Sequence, residues 1–333
     1  MPETPSLPET SELTYIQAIV AAHRWALATY PEVLVFGEDI GSPGGPFGST
    51  KGLHAEFGKR VFDTPISEAA ILGGAIGAAM RGRRPIVEIM FADFFFVAFD
   101  QIVNQAANVR FLSRGGFTAP ITIRSQQGFT PGSCAQHSQS IEAFLAHIPG
   151  LRVGLPADAE QAYTMLRAAI ASDDPVIVIE SRALYQQKRP VVLDAPVESI
   201  GGARTLRPGS DVTVVTWSRM VGEALEAAEE LAGRGIDAEV IDLRWVNPLD
   251  LDAVLASVAR TSRLVVAHEA NVTGGLGAEI AAQVSYRGFD LLDAPVERVG
   301  APDIRVPASP VLQQAVMPDR NSIVAAVEKH AAA

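Results

Sequence analysis

Hydrophobic positions along this chain alternate between short unbroken runs and longer stretches with helical spacing. The segment Thr14-Tyr15-Ile16-Gln17 has the form of a capping box, in which hydroxyl and amide side chains satisfy the first free backbone donors of a helix. Behind it Ile16, Ile19, Val20 and Leu27 keep the spacing of one helix face, and Pro31 stops the run. Residues 33–36 are then a short apolar strand. The alternation continues through a helix at 69–80, a strand at 85–90, a helix at 94–111, a strand at 121–124, a helix at 160–171 and a strand at 176–180. Between residues 186 and 211 the periodicity lapses and Pro190, Pro196, Gly201, Gly202, Pro208 and Gly209 crowd together, which predicts a linker. The pattern restarts with strands at 212–216, 238–243, 264–267 and near 296–299, and helices at 221–232 and 249–259. A further helix, ending at Tyr286, is opened by Gly274-Gly275-Leu276-Gly277.

Such alternation predicts the α/β class: two doubly wound domains, each a mainly parallel sheet with helices on both faces. The expected division is a disordered tail at 1–13, a first domain at 14–186, a linker at 187–210 and a second domain at 211–333. At 333 residues the chain is long enough for two cores. Its 27 basic against 38 acidic residues, a net charge of −11, disfavour a general affinity for nucleic acid or anionic membrane. One cysteine, Cys134, excludes an internal disulfide framework and suits a reducing compartment. Its nearness to His137 raises a thiol–imidazole nucleophile, but a lone cysteine is more often a small packed residue. The opening MPETPSLPETSE lacks the basic and apolar regions of a secretory signal, and no apolar run reaches the ~18 residues of a membrane span. The expected location is cytoplasmic.

Candidate chemistry gathers around residues 37–68. This stretch leaves the end of the strand at 33–36 with the acidic pair Glu38-Asp39, is rich in glycine and proline, and ends on Asp63-Thr64-Pro65-Ile66-Ser67-Glu68. Phe47, Leu53, Phe57 and Phe62 are spaced through it like anchors. Loops of this length are usually either functional or disordered, and ligands of open α/β sheets bind at this strand edge. Glu68 is followed by Ala69, Ala70, Ile71 and Leu72, apolar surroundings in which a carboxyl can share a proton. An acid favouring a helix N-terminus is the plainer account. Phe94 lies in Asp93-Phe94-Phe95-Phe96, a cluster too apolar for a surface turn, and His137 lies in a polar island, Ala135-Gln136-His137-Ser138-Gln139-Ser140. Gly73, Gly74 and Gly77, with Glu88 downstream, mimic part of a dinucleotide fingerprint. That pattern should follow directly on a strand, so close packing against another helix explains the glycines better.

The motifs GED, GGxFxxTxGL, FGxRV and DTPISE in residues 37–68 resemble the beta subunit of the thiamine-diphosphate-dependent dehydrogenase of 2-oxo acid dehydrogenase complexes. EIMFADFFFVAFDQIVNQAA, AQHSQS, HIPGL, EVIDLRWVNPLD, HEA, GGLGAEIAA and DAPVERVGAPD continue the likeness in order to the end of the chain. The resemblance implies a pyrimidine-binding domain followed by a transketolase C-terminal-like domain. It implies that Glu68 hydrogen-bonds the cofactor's pyrimidine, that Phe94 packs on that ring with Ile66 and Glu38 beside the cofactor, and that His137 meets the substrate. It further implies a monovalent cation such as potassium on the main-chain oxygens of Ile121, Ala169, Ser172 and Asp174. The Gly-Asp-Gly run with which thiamine enzymes hold Mg²⁺ and the diphosphate is missing from this sequence. An alpha subunit in an α₂β₂ heterotetramer is therefore expected to carry both, and a lipoyl acyltransferase core to receive the acyl group. Pyruvate, branched-chain 2-oxo acids and acetoin are all open as substrates, because the loop from Ser125 to Cys134 departs from common forms of the family. A split transketolase acting on sugar phosphates and a non-catalytic scaffold subunit are the rival readings.

Overall fold

The structure, a computed structural model, describes residues 10–331. The fourteen strands are β1 (Thr10–Thr14), β2 (Val33–Gly37), β3 (Val61–Asp63), β4 (Arg84–Glu88), β5 (Thr122–Gln127), β6 (Arg152–Gly154), β7 (Val176–Ser181), β8 (Lys188–Val192), β9 (Arg204–Arg207), β10 (Val212–Thr216), β11 (Ala238–Asp242), β12 (Trp245–Asn247), β13 (Leu264–Asn271) and β14 (Glu297–Ala301). The first domain carries helices α1 (Tyr15–Thr29), α2 (Leu53–Phe57), α3 (Glu68–Met80), α4 (Val109–Leu112), α5 (Glu142–Ala146) and α6 (Ala159–Ala171). The second carries α7 (Met220–Ala232), α8 (Leu251–Thr261), α9 (Leu276–Arg287), α10 (Pro310–Val316) and α11 (Arg320–Ala331).

Two sheets, in the orders β12-β6-β7-β5-β4-β2-β3 and β14-β13-β10-β11-β9, are parallel throughout except for the edge strands β12 and β9. The layers follow from strands that are apolar on both faces. Val33 and Val35 of β2 point to α1 and α6 on the outside, while Phe36 points to α3 on the inside. In β10, Val212 and Val214 face α7 and α11, while Val215 joins the core shared with α8 and α9. One continuous core thus fills the space between the sheets. The capping box forms as read, with the Gln17 amide donating to Thr14 Oγ1 and the Thr14 amide to Gln17 Oε1. No helix among the described residues is long and apolar enough to cross a membrane.

Five expectations change. Residues 1–9 of the expected tail lie outside the described residues, but residues 10–13 are in β1, paired antiparallel with β8. The expected linker supplies β8, and also β9, which pairs with β11. Polar, prolyl edge strands of this kind carry no apolar alternation to read. The stretch from 37 to 68 is structured by α2 and β3, with Leu53 fully buried and Phe62 stacked on Phe36 at 4.9 Å. The helix expected at 94–111 is broken into a 3₁₀ segment, Ala92–Ala98, a π-turn, Gln101–Gln105, another 3₁₀ turn and α4. The Asn108 side chain donates to the carbonyls of Val103 and Asn104, which this irregular winding frees. Finally, the glycines of α3 divide: a Cβ at Gly73 would lie 3.8 Å from Gln101 of the π-turn, while one at Gly74 or Gly77 would find no atom within 4 Å among the described residues.

Candidate active site

Three parallel strands end side by side, with Gly37 of β2 level with Asp63 of β3 and Glu88 of β4. The backbones approach so closely that a Cβ on Gly37 would lie 2.5 Å from the Glu88 carbonyl oxygen. Four of the candidate residues leave this end of the sheet, whereas Ile121, Ala169, Ser172 and Asp174 lie at the opposite ends of β5 and β7. Glu38 follows β2, Glu68 opens α3 after β3, Phe94 follows β4, and His137 lies in the loop after β5.

The carboxyl of Glu68 is buried within the first turn of α3, where the helix dipole favours it. Glu38 is half-buried, and desolvation, then the charges of Glu68 and Asp39, raises its carboxyl above the usual range. The two acids therefore lie within electrostatic reach of each other. Phe94 is half-buried on the 3₁₀ segment that packs against α3. His137 stands edge-on to Phe91 at 4.4 Å and to Phe94 at 5.7 Å between ring centroids. Phe94 and His137 share a cavity of about 540 Å³ with Asp93, Ala135, Gln136, Gln139 and Arg305, the last reaching over from the second domain. Ile66 is 82% exposed beside Glu68, an apolar side chain left in the open. Cys134 is a free thiol in a left-handed backbone conformation, φ 51°, three residues before His137.

Beneath the site lies a charged lattice that sequence reasoning missed. Arg124 on β5 is buried and holds Glu88 at 2.7 Å and Glu180 at 2.7 Å; Ser49 Oγ donates to Glu88 and Tyr185 to Glu180, both at 2.6 Å. Burial opposes the Arg124 charge, but Glu180 and Glu88 outweigh it and raise the guanidinium's pKa. Ser49 thereby pins the stretch after β2 onto the sheet. The signal available in the sequence was an arginine inside an apolar strand run, which requires buried acids opposite it. Asp93 and Gln139 were also missed: Gln139 Nε2 donates to Asp93 Oδ1 at 2.9 Å, and Asp93 Oδ2 is buried without a partner.

The carbonyl oxygens expected to hold a monovalent cation each accept a hydrogen bond. Val176 N donates to Ile121 at 3.0 Å, Ser172 N to Ala169 at 3.2 Å, Arg84 to Ser172 at 2.9 Å and Ser172 Oγ to Asp174 at 3.1 Å. Among the described residues no group of three or more His, Cys, Asp or Glu side chains is arranged to hold a metal ion.

Residues 11–188 match the family described as the transketolase pyrimidine binding domain, and residues 201–323 match the transketolase C-terminal domain. The chain is 43% identical to the pyruvate dehydrogenase E1 component subunit beta of Leifsonia xyli, over 97% of this chain and 96% of that one. It is 42% identical to the acetoin:2,6-dichlorophenolindophenol oxidoreductase subunit beta of Bacillus subtilis, over 92% and 94%. Among solved structures, a split gene transketolase described as an inactive beta4 tetramer superposes with a TM-score of 0.80, at 26% identity and covering 96% of this chain and 98% of that one.

Proposed function

Because the chain belongs to the transketolase-type family of 2-oxo acid dehydrogenase beta subunits, we propose that it works with an alpha subunit in a heterotetramer to decarboxylate a 2-oxo acid on thiamine diphosphate. The acyl group then passes reductively to the lipoyl group of an acyltransferase. The observation that carries this reading is the meeting of Glu38, Glu68, Phe94 and His137 at one sheet edge, beside a cavity. When bound, thiamine diphosphate would supply a nucleophilic carbon for the substrate carbonyl and a cationic ring as the sink for the electron pair released by decarboxylation.

This chain fits the pyrimidine half of that cofactor. The buried Glu68 carboxyl would hydrogen-bond a ring nitrogen, and the Phe94 ring would offer an aromatic face to the ring. Ile66, exposed in the single chain, covers the cofactor's flank in the complex. His137, kept in place by Phe91 and Phe94, donates to a substrate oxygen and moves a proton there. The donors present do not fit a Mg²⁺–diphosphate group, which needs hard oxygen ligands in octahedral order, so that half falls to the alpha subunit. A monovalent cation on the carbonyls of Ile121, Ala169, Ser172 and Asp174 belongs to the same proposal, as does a cytoplasmic location; Arg84 competes for the Ser172 oxygen.

The test is 2-oxo acid-dependent reduction of 2,6-dichlorophenolindophenol by the chain co-purified with an alpha subunit. Turnover is expected only when alpha, thiamine diphosphate and Mg²⁺ are all present. Ketol transfer between sugar phosphates instead would establish the transketolase reading, which the split transketolase likeness favours.

A further inference from the structure

We infer that Arg305 is a substrate-recognition residue, which captures the carboxylate of an anionic substrate where the cleft between the domains opens into the His137 cavity. The inference rests on the proposed function and narrows it, since it selects 2-oxo acids over uncharged ketols such as acetoin.

Arg305 and Gln139 line two neighbouring cavities, the one containing Phe94 and His137 and a cleft of about 630 Å³ between the domains. The cleft is walled by the loop after β13, residues 301–306 of the second domain, and Phe129, Ser138 and Phe144 of the first. A ligand entering through the cleft therefore passes the Arg305–Gln139 pair before it reaches His137.

The charges along this route are unequally engaged. Glu269 in the cleft accepts the Phe129 amide and pairs with Arg219 at 3.4 Å, and Asp303 accepts Thr273 Oγ1 at 2.6 Å. Asp93 in the inner cavity accepts Gln139. Arg305 pairs with no carboxylate among the described residues and donates only to Gln139 Oε1, at 3.4 Å. Gln139 thus spans from Asp93 to Arg305, holding the guanidinium at the opening without neutralising it. Another cation nearby, Arg182, lies over Phe47 at 5.0 Å and Phe91 at 5.7 Å, donates to Thr130, and does not line the cavity.

A chain of net charge −11, with Glu38 and Glu68 at its site, repels an approaching anion. One unpaired guanidinium at the mouth reverses that locally, and its planar fork matches a carboxylate. A single arginine suits one carboxylate better than a sugar phosphate, whose double charge is met elsewhere by clusters. Because Arg305 is exposed at the rim, it acts in capture and not on the bond that breaks, so its effect belongs in KM and in salt dependence.

The experiment compares wild type, Arg305→Gln and Arg305→Lys, each co-purified with the alpha subunit, on pyruvate and on acetoin. Binding of oxamate, an unreactive 2-oxo acid isostere, is measured in parallel by calorimetry. Arg305→Gln should raise KM for pyruvate about tenfold with kcat within about twofold, weaken oxamate to a similar extent, flatten the salt dependence of kcat/KM, and leave acetoin unaffected. Arg305→Lys, which keeps the charge but not the fork, should restore the salt dependence and only part of the loss in KM. Unchanged KM and oxamate binding, or equal losses for pyruvate and acetoin, would overturn the inference while turnover persists. A wild-type complex that turns over neither substrate but still binds oxamate in an Arg305-dependent way would instead overturn the proposed reaction alone.

Discussion

Two helices of thirteen residues, one in each domain, show how differently the same element can be finished. α7 buries Met220, Val221, Ala224, Ala227, Ala228 and Leu231 and turns Glu226 and Glu229 to water, with Arg219–Glu223 and Arg234–Glu230 pairs at its ends. α3 buries Glu68, Ile71, Leu72, Ala75, Ile76 and Ala79, but its outer face carries Ala70, Gly73, Gly74 and Gly77, and no charge lies between Glu68 and Arg81. Exposed Ile66 and Val97 extend that bare face. Three helical glycines cost about 1 kcal/mol each relative to alanine. A cost of that size on an open surface would be offset if another polypeptide packed closely there. α7 presents charges to solvent, whereas α3 presents small uncharged residues.

The acids in the two first turns give the largest expected difference. Glu68→Gln should lower turnover of the alpha-containing complex by about a thousandfold or more while leaving assembly intact, whereas Glu223→Gln, which weakens a partly buried ion pair with Arg219, should change turnover by less than about twofold. Parallel turnover and size-exclusion measurements on the two variants decide this. The outer faces come next. Gly74→Leu should abolish co-purification with the alpha subunit, since a side chain would stand where the partner approaches, and Glu226→Leu on α7 should leave it unchanged.

A second buried acid separates chemistry from stability. Asp242 on β11 accepts Gln161 Nε2 at 2.6 Å across the domain junction, and burial raises its carboxyl to about 6. The folded chain thus binds this proton more tightly than the unfolded one, so the stabilisation is fully present below about pH 4 and is lost as pH rises through about 6. The swing is about 3 kcal/mol. Denaturant melts of Asp242→Asn should show that contribution to the pH slope removed, with kcat of the assembled enzyme near wild type. The smallest effect is also the most diagnostic of α3: Gly74→Ala should raise the stability of the single chain by about 1 kcal/mol, seen as a higher Tm, and weaken assembly.

The local signals were the legible ones. The Thr14–Gln17 box, the apolar strands and Glu68 at its helix start all follow from neighbours within a few residues, and the motifs single out Phe94 and His137, which line one cavity. What escaped was set by contacts distant in sequence. β12 lies in the second half of the chain, yet it pairs with β6, and Trp245 is fully buried in the core of the first domain. Arg124 meets acids 36 and 56 residues away, and Arg305 comes to the His137 cavity from the other domain. The glycines of α3 are legible as a row of small residues, but nothing local separates Gly73, which meets Gln101, from the open Gly74 and Gly77.

The central claim is that this polypeptide forms half of a cofactor site and that Glu68 is its chemical contribution. Calorimetric titration of thiamine diphosphate with Mg²⁺ into the single chain, into its complex with the alpha subunit, and into the Glu68→Gln complex tests that directly. The account predicts saturable binding by the complex, weaker binding by the Glu68→Gln complex, and none by the chain alone; tight binding by the chain alone, or identical binding by both complexes, would contradict it.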